Sequence, residues 1–141
     1  MNKIFHQLIK SAVIFSSVFF AISTFAAPQD WQQIKRPIPA ENGKAEAIGS
    51  YSNGCIIGAE PLPYKGEGYQ VIRMNKNRYY GHPDMIRYLQ RLGQRVKAAG
   101  LPTMLVGDIA MPGGGRFLTG HASHQMGLDA DIWLRMGSMS D

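Results

Sequence analysis

The feature that most constrains this chain is an apolar N-terminal segment, which we interpret as a secretory signal peptide. Two lysines precede an uncharged run over residues 11–25, and Thr24-Phe25-Ala26 fits the small-x-small pattern of a cleavage site. A membrane anchor is the alternative, but the run is shorter than the ~18 residues that a comfortable span needs. We therefore expect residues 1–26 to be removed on export, with one domain over residues 27–141 and no stable membrane insertion afterwards.

The charge of the exported chain argues against nucleic acid as a partner. Without residues 1–26 the chain has 115 residues, of which 13 are Lys or Arg and 10 are Asp or Glu, so its net charge is +3. It contains no cluster of basic residues and no basic stripe interleaved with aromatic residues. A weakly basic exported protein is compatible with an anionic polymer such as a cell wall, although net charge alone does not identify a partner.

Cys55 is the single cysteine of a chain that we expect in an oxidising compartment. It predicts an intermolecular bond, a free thiol or a partner elsewhere in a longer chain, and an inert buried cysteine is the alternative. A strand predicted over residues 129–134 is followed by only seven residues. We therefore expect an N-terminal fragment that lacks the partner of Cys55, exposes a sheet edge and tends to self-associate.

The clearest regular element is a helix from Pro83 to about Ala99. Proline suits the first helical turn, Gly100 ends the helix, and apolar residues at spacings of three and four form one stripe. The other predicted elements are an extended leader with short strand pieces over residues 27–53, strands over residues 69–74, 103–109 and 129–134, and a glycine-rich loop over residues 111–116 that allows close approach of a ligand.

Residues 120–133 carry the strongest signal for chemistry. His121 and His124 lie close together, and Asp129 and Asp131 follow at alternate positions of the predicted strand, so both carboxylates point to one face. Two carboxylates on one face repel each other unless positive charge lies nearby, and a metal ion supplies that charge. Imidazole and carboxylate groups are typical zinc ligands.

Other interpretations of the same residues remain open. Histidines are often capped or solvated, and aspartates on strands often form turns or salt bridges. A serine peptidase built on Ser123 is disfavoured because no nucleophile elbow surrounds that residue. Binding without chemistry is the remaining alternative.

Ser123, His124, Gly127, Asp129 and Asp131 resemble the S-x-H-x-x-G-x-(A/D)-x-D signature of the LAS metallopeptidases. The resemblance is closest to the penicillin-insensitive murein endopeptidase branch, and it covers nearly the whole exported chain. The motifs that carry it are residues 50–55, 78–84, 107–108, 111–117 and 120–125.

The resemblance implies an α+β fold with a central antiparallel sheet and flanking helices, as in LAS metallopeptidases of the hedgehog and D-Ala-D-Ala peptidase type. It implies a periplasmic zinc endopeptidase that cleaves D-alanyl–diaminopimelyl cross-links of peptidoglycan and is insensitive to β-lactams, because no serine is acylated. By position in the motif, His124 and Asp131 match zinc ligands, and His121 matches a further histidine of the metal site.

Two further residues fit roles around such a metal. Arg116, at the end of the glycine-rich loop, is expected to stabilise an oxyanion or to hold a substrate carboxylate. Asp129 is expected to orient a ligand histidine. The sequence suggests no catalytic role for Asp108, and His82 is expected to belong to the helix N-terminus.

The chain departs from the family pattern in one respect. The family carries a downstream H-x-H motif that supplies the remaining zinc ligand and a general base, whereas this sequence has no histidine after His124. Two hypotheses therefore stand: an incomplete zinc endopeptidase, and a non-catalytic remnant that binds metal or cell wall.

Overall fold

The computed structural model describes residues 30–133 and 137. The predicted signal peptide, residues 1–26, and the last position of the strand predicted over residues 129–134 lie outside the described residues. Among the helices of the described part, none combines the length and apolar character needed to cross a membrane.

The leader was predicted to be extended with short strand pieces; it contains a short 3₁₀ turn and the first strand of a hairpin. Asp30 caps a 3₁₀ turn over Trp31–Gln33 by accepting a hydrogen bond from the amide of Gln32 at 3.1 Å. Further along, β1 (Glu46–Ser50) pairs antiparallel with β2 (Asn53–Ile57).

Short strands beyond the hairpin form two further sheets. β3 (Glu60–Pro61) pairs antiparallel with β6 (Tyr80–Gly81). β4 (Lys65–Gly66) pairs antiparallel with β5 (Tyr69–Val71), and β5 pairs in parallel with β7 (Met104–Val106). The strand predicted over residues 69–74 is therefore shorter than expected.

That strand stops early because the backbone turns at Arg73. Arg73 adopts a left-handed conformation with φ of 59° and leads into a 3₁₀ turn over Met74–Lys76. A left-handed residue cannot continue a strand.

The predicted helix is confirmed as α1 (Pro83–Ala98), with His82 as its N-cap. The ring of His82 accepts a hydrogen bond from the amide of Asp84 at 3.2 Å, which confirms its place at the helix N-terminus. Ile86 and Leu89 are buried on the predicted apolar face. They join a core cluster whose remaining members are Leu62, Tyr69, Val71, Met104, Val106 and Ile109.

Residues 131–133 lie along β7 in an antiparallel arrangement, with one β-bridge between Val106 and Ile132. The amide of Gly107 donates to the carbonyl of Asp131 at 2.8 Å, and the amide of Trp133 donates to the carbonyl of Leu105 at 3.0 Å. The strand predicted over residues 129–134 is thus an extended segment held by few bonds, and it places Asp131 beside the end of β7.

The fold combines helix and sheet, which confirms the predicted α+β class. Within residues 30–133, however, the strands form three small sheets instead of one central antiparallel sheet, and one sheet contains a parallel pair. The parallel pair follows from the connection between its two strands. The chain between β5 and β7 includes α1, and a helical crossover of this length returns the chain in the parallel direction.

Candidate metal centre

The loop that carries both histidines is fixed to the hairpin by one buried amide side chain. The Nε2 atom of Gln125 donates to the carbonyls of Ser52 and Ala122, both at 2.8 Å. Its Oε1 atom accepts from the amide of Gly54 at 3.2 Å. Because Gln125 adjoins His124, these bonds hold the histidine's backbone, which adopts a left-handed φ of 67°.

His121, His124 and Asp131 converge. Each offers one ligand atom, and these atoms all lie within 4.8 Å of one another. Asp131 lies between the rings: its Oδ1 atom is 3.3 Å from Nε2 of His124, and its Oδ2 atom is 3.2 Å from Nε2 of His121. The rings meet edge to face with centroids 5.0 Å apart.

The second aspartate of the predicted strand faces the other nitrogen of His124. Oδ2 of Asp129 lies 2.9 Å from Nδ1 of His124, close enough for an ion pair although the angle falls outside hydrogen-bond geometry. Burial of the ring lowers the pKa of His124, but contact with Asp129 and the charges of Asp129 and Asp131 outweigh it, so the pKa is raised above the usual histidine value.

These residues fit a divalent cation. The ring of His124 is only 3% exposed, and its buried Nδ1 lacks a partner in hydrogen-bond geometry. Two carboxylates approach two imidazoles, and neutral imidazoles leave that negative charge uncompensated. Two nitrogens and one oxygen form a donor set of the kind that catalytic zinc sites use, with a position left for water.

A stacked ring and an arginine lie beside this cluster, and the sequence did not single them out for a role. The ring of Phe117 stacks on His124, with centroids 5.8 Å apart and 13° between the planes. The guanidinium of Arg78 lies 3.8 Å from the centroid of Phe117 and donates to Oδ2 of Asp108 at 2.9 Å. The one available sequence signal was Asp108, an acidic residue two positions after the last residue of the apolar strand β7.

The glycine-rich loop contacts the protein itself. A Cβ on Gly115 would lie 2.0 Å from the ring of Trp31, and one on Gly114 would lie 2.1 Å from the carbonyl of Gln125. A Cβ on Gly113 would lie 2.9 Å from the side chain of Ile34. The predicted close approach of a ligand is not what these glycines allow: the space beside them is filled by neighbouring residues of the chain, so the loop is not open to a ligand there.

Arg116 lies apart from the three converging residues. Its side chain is exposed and lines a cleft of about 300 Å³ together with Trp31, Phe117 and Leu118. Its carbonyl accepts a hydrogen bond from the side chain of Gln32 at 2.9 Å. The predicted role of Arg116 towards an oxyanion or a carboxylate stays a prediction.

The surroundings of Ser123 and Cys55 bear on the alternatives that the sequence left open. Ser123 is half-buried, and both ring nitrogens of His124 face carboxylates, so this histidine is not arranged as a base for a serine nucleophile. Cys55 lies in β2 opposite Ile48 as a partly buried free thiol.

Comparison with known proteins places this geometry in a family context. The family model for penicillin-insensitive murein endopeptidase matches residues 47–141. The chain is 76% identical over 141 residues to the penicillin-insensitive murein endopeptidase of Haemophilus influenzae, covering all of this chain and 48% of that protein. It is 48% identical over 127 residues to the protein of that name from Escherichia coli strain SMS-3-5, covering 90% of this chain and 45% of the relative. The chain thus spans about half the length of these curated relatives.

Proposed function

The chain belongs to the penicillin-insensitive murein endopeptidase family, and we propose that it supplies part of the metal site of a zinc-dependent endopeptidase acting on peptidoglycan. The family match over residues 47–141 supports the reaction class. The observation that carries the proposal is the convergence of ligand atoms from His121, His124 and Asp131 within 4.8 Å.

The three residues are proposed to hold zinc through the imidazole nitrogens that face Asp131 and through the Asp131 carboxylate. When bound, zinc lowers the pKa of a coordinated water and polarises the scissile carbonyl, so an amide is cleaved without a covalent acyl-enzyme. Asp129, whose Oδ2 atom lies 2.9 Å from Nδ1 of His124, would favour the tautomer with its proton on Nδ1, which leaves the lone pair of Nε2 directed at the metal. Burial of His124 keeps this ring in one orientation.

Arg116 is proposed to act on the substrate. Its side chain is exposed at a cleft that Phe117 also lines, and Phe117 stacks on His124. A guanidinium at this place would hold a carboxylate of the peptide or stabilise negative charge on the carbonyl oxygen. Peptide stems of peptidoglycan carry such carboxylates, which makes them suitable ligands for the cleft.

The finer assignment follows from the family resemblance. The substrate is proposed to be the D-alanyl–diaminopimelyl cross-link, cleaved in the periplasm after export by the segment over residues 1–26, with an overall fold of the LAS metallopeptidase type. Insensitivity to β-lactams is expected because the proposed reaction uses no nucleophilic serine. The name that the relatives carry, penicillin-insensitive murein endopeptidase, supports the part of this assignment that concerns murein and insensitivity to β-lactams.

The first test is zinc binding by the chelator-treated protein, measured by calorimetry. We expect one zinc per chain, with affinity reduced at least ~100-fold in His124→Ala, since loss of a ligand should exceed the effect of losing an outer partner. His82→Asn is the matched control, because it removes another histidine while asparagine retains helix capping. Equal zinc affinity in His124→Ala and the wild type would refute the metal site.

The second test separates the two candidate functions. The alternative is a non-catalytic remnant that binds metal or cell wall, which the convergence of His121, His124 and Asp131 would serve equally well. Zinc-loaded protein is incubated with purified cross-linked muropeptides, and the products are separated by chromatography. If uncrosslinked stems are released and a chelator prevents their release, the chain is an enzyme. If zinc binds but no cleavage occurs, the chain is a non-catalytic remnant.

A further inference from the structure

Asp108 is a buried carboxylate for which the proposed reaction has no use. It follows β7 and is 1% exposed. Two arginines reach its Oδ2 atom: Nη1 of Arg78 at 2.9 Å and Nη2 of Arg73 at 3.5 Å. Burying a charged pair of this kind costs desolvation, and such a pair is weak evidence for stability, so stability alone does not account for it.

The side chain of Asp108 is connected to His124 through two further side chains. Arg78 is held at one end by Asp108 and also donates from Nη2 to the carbonyl of Thr119 at 3.1 Å. These bonds fix the guanidinium 3.8 Å from the ring centroid of Phe117. The same Phe117 ring stacks on the ring of His124, with the two planes nearly parallel. A tilt of the guanidinium would therefore be transmitted to the histidine ring.

The main chain of Asp108 is connected to Asp131. Its carbonyl accepts a hydrogen bond from the Asp131 amide at 2.9 Å, and the neighbouring Gly107 amide donates to the Asp131 carbonyl at 2.8 Å. This exchange fixes the position of Asp131 along the edge of β7. One residue thus supports two of the three converging groups, one through its backbone and the other through its carboxylate.

We propose that Asp108 is a positioning residue for the metal site, with its backbone fixing Asp131 and its carboxylate fixing the ring of His124 through Arg78 and Phe117. The inference rests on the proposed function for its connection to zinc. Asp108 itself touches neither metal nor substrate, so its effect is on the spacing and orientation of the ligands. Partners outside the ligand set are known to tune metal affinity in this way.

The experiment compares variants along this connection with a control in the apolar core. Asp108→Asn removes the charge that holds Arg78 while retaining side-chain size, and Phe117→Leu removes the stacked ring. Phe117→Tyr retains the ring and serves as the conservative rescue. Leu89→Ala destabilises the core at α1 without touching the connection. Zinc affinity and the absorption spectrum of the Co²⁺-substituted protein are measured at a temperature well below the thermal unfolding midpoint of each variant.

We expect Asp108→Asn and Phe117→Leu to lower zinc affinity by about 10- to 100-fold, with altered Co²⁺ bands. Phe117→Tyr and Leu89→Ala should bind zinc as the wild type does and retain its spectrum. The inference is overturned if Asp108→Asn and Phe117→Leu bind zinc normally, or if Leu89→Ala loses as much affinity, since the effect would then be general destabilisation.

A metal-free measurement keeps this inference separable from the proposed function. The imidazole resonances of His124 are recorded by NMR in chelator-treated wild type and in Arg78→Lys, which preserves the charge beside Asp108 but not the planar stack. Shifted resonances in Arg78→Lys support the connection even if the wild type binds no zinc. Failure of the wild type to bind zinc would refute only the proposed function. Resonances unchanged from the wild type overturn the positioning role.

Discussion

The region around α1 and the region around His124 are held together by different forces. The first region is a cluster of buried apolar side chains, mostly on regular elements, that includes Leu89 and Val71. The second lies on residues 107–133, which contain one β-bridge to β7 and otherwise little regular structure. Its order comes from directed contacts such as those of Arg78 and Gln125.

This difference suggests a division of labour between stability and precision. Apolar burial is non-directional and tolerates small shifts. Hydrogen bonds, ion pairs and ring stacking fix distance and angle, which a metal site requires. The two regions meet at β7, where apolar Val106 belongs to the core and Asp108 begins the polar connection two residues later.

The largest effect that would sharpen the comparison is on stability. Arg78→Met removes the closer partner of the buried Asp108, and breaking a buried pair in this way costs about 3–5 kcal/mol. The loss is measured as the free energy of unfolding in urea. Arg91→Met, at an exposed position of α1, is the control and should change it by less than about 0.5 kcal/mol. Equal changes in the unfolding free energy of the two variants would mean that the contact between Arg78 and Asp108 does not stabilise the fold.

A smaller effect is expected at the outer edge of the site. Asp129→Asn removes the charge beside Nδ1 of His124 and should weaken zinc binding by about tenfold, measured by competition with a chelator. Asp84→Asn, on the first turn of α1, is the control and should leave zinc affinity unchanged. Identical affinities for the Asp129 variant and the wild type would remove Asp129 from the site.

The same variant has a pH dependence of known sign. A proton on His124 competes with zinc, so affinity falls as the pH drops through the pKa of this ring. Asp129 helps to raise that pKa. In Asp129→Asn the pKa of His124 should therefore be lower. The logarithm of the apparent zinc affinity, plotted against pH, should then begin to fall at lower pH than in the wild type, whatever the affinity at neutral pH. A bend at the same pH in both proteins would contradict the assigned contact.

The smallest effect concerns Tyr80, which lies where the two regions meet. Tyr80 of β6 stacks on Tyr79, and its amide donates to the carbonyl of Ala110. Burial, then hydrogen bonding and charge interaction with Tyr79, raise the pKa of Tyr80 from 10.0 to about 12. The unfolded chain ionises first, so stability should be fully present below pH 10 and fall as the pH rises towards 12.

Tyr80→Phe should remove this part of the alkaline loss. The measurement is the unfolding free energy as a function of pH, with the phenolate absorbance of the wild type minus that of the variant reporting the titration of this one tyrosine. A difference titration centred near pH 10 would show that the hydroxyl of Tyr80 is as well hydrated in the folded protein as in the unfolded chain.

The apolar region was largely predictable from the sequence, because its signals are local. The spacing of Ile86 and Leu89 and the proline and glycine at the two ends define α1 within one or two residues. The buried strand β7 was expected from consecutive apolar residues, although it is shorter than predicted. The early end of β5 was not foreseen, since nothing in the local pattern marks Arg73 as left-handed.

The candidate site was predictable only where its residues lie close in sequence. The alternation of Asp129 and Asp131 predicted a shared face, and both carboxylates do approach His124. Whether these residues bind zinc stays a prediction. The contact between Arg78 and Asp108 spans 30 positions, and no periodicity connects them. Such long-range polar contacts depend on how the elements pack, which one sequence does not reveal.

The filled space beside Gly114 and Gly115 has a consequence for experiments that infer importance from tolerance to substitution. Both glycines have positive φ, 68° and 74°, and any side chain there would collide with a backbone carbonyl or an indole ring. In a saturation mutagenesis screen these positions would score as severely as the proposed ligands while contributing no donor atom. The profiles should differ in shape: at the glycines fitness should worsen with the bulk of the replacement, whereas at His124 a small residue should be no better than a large one.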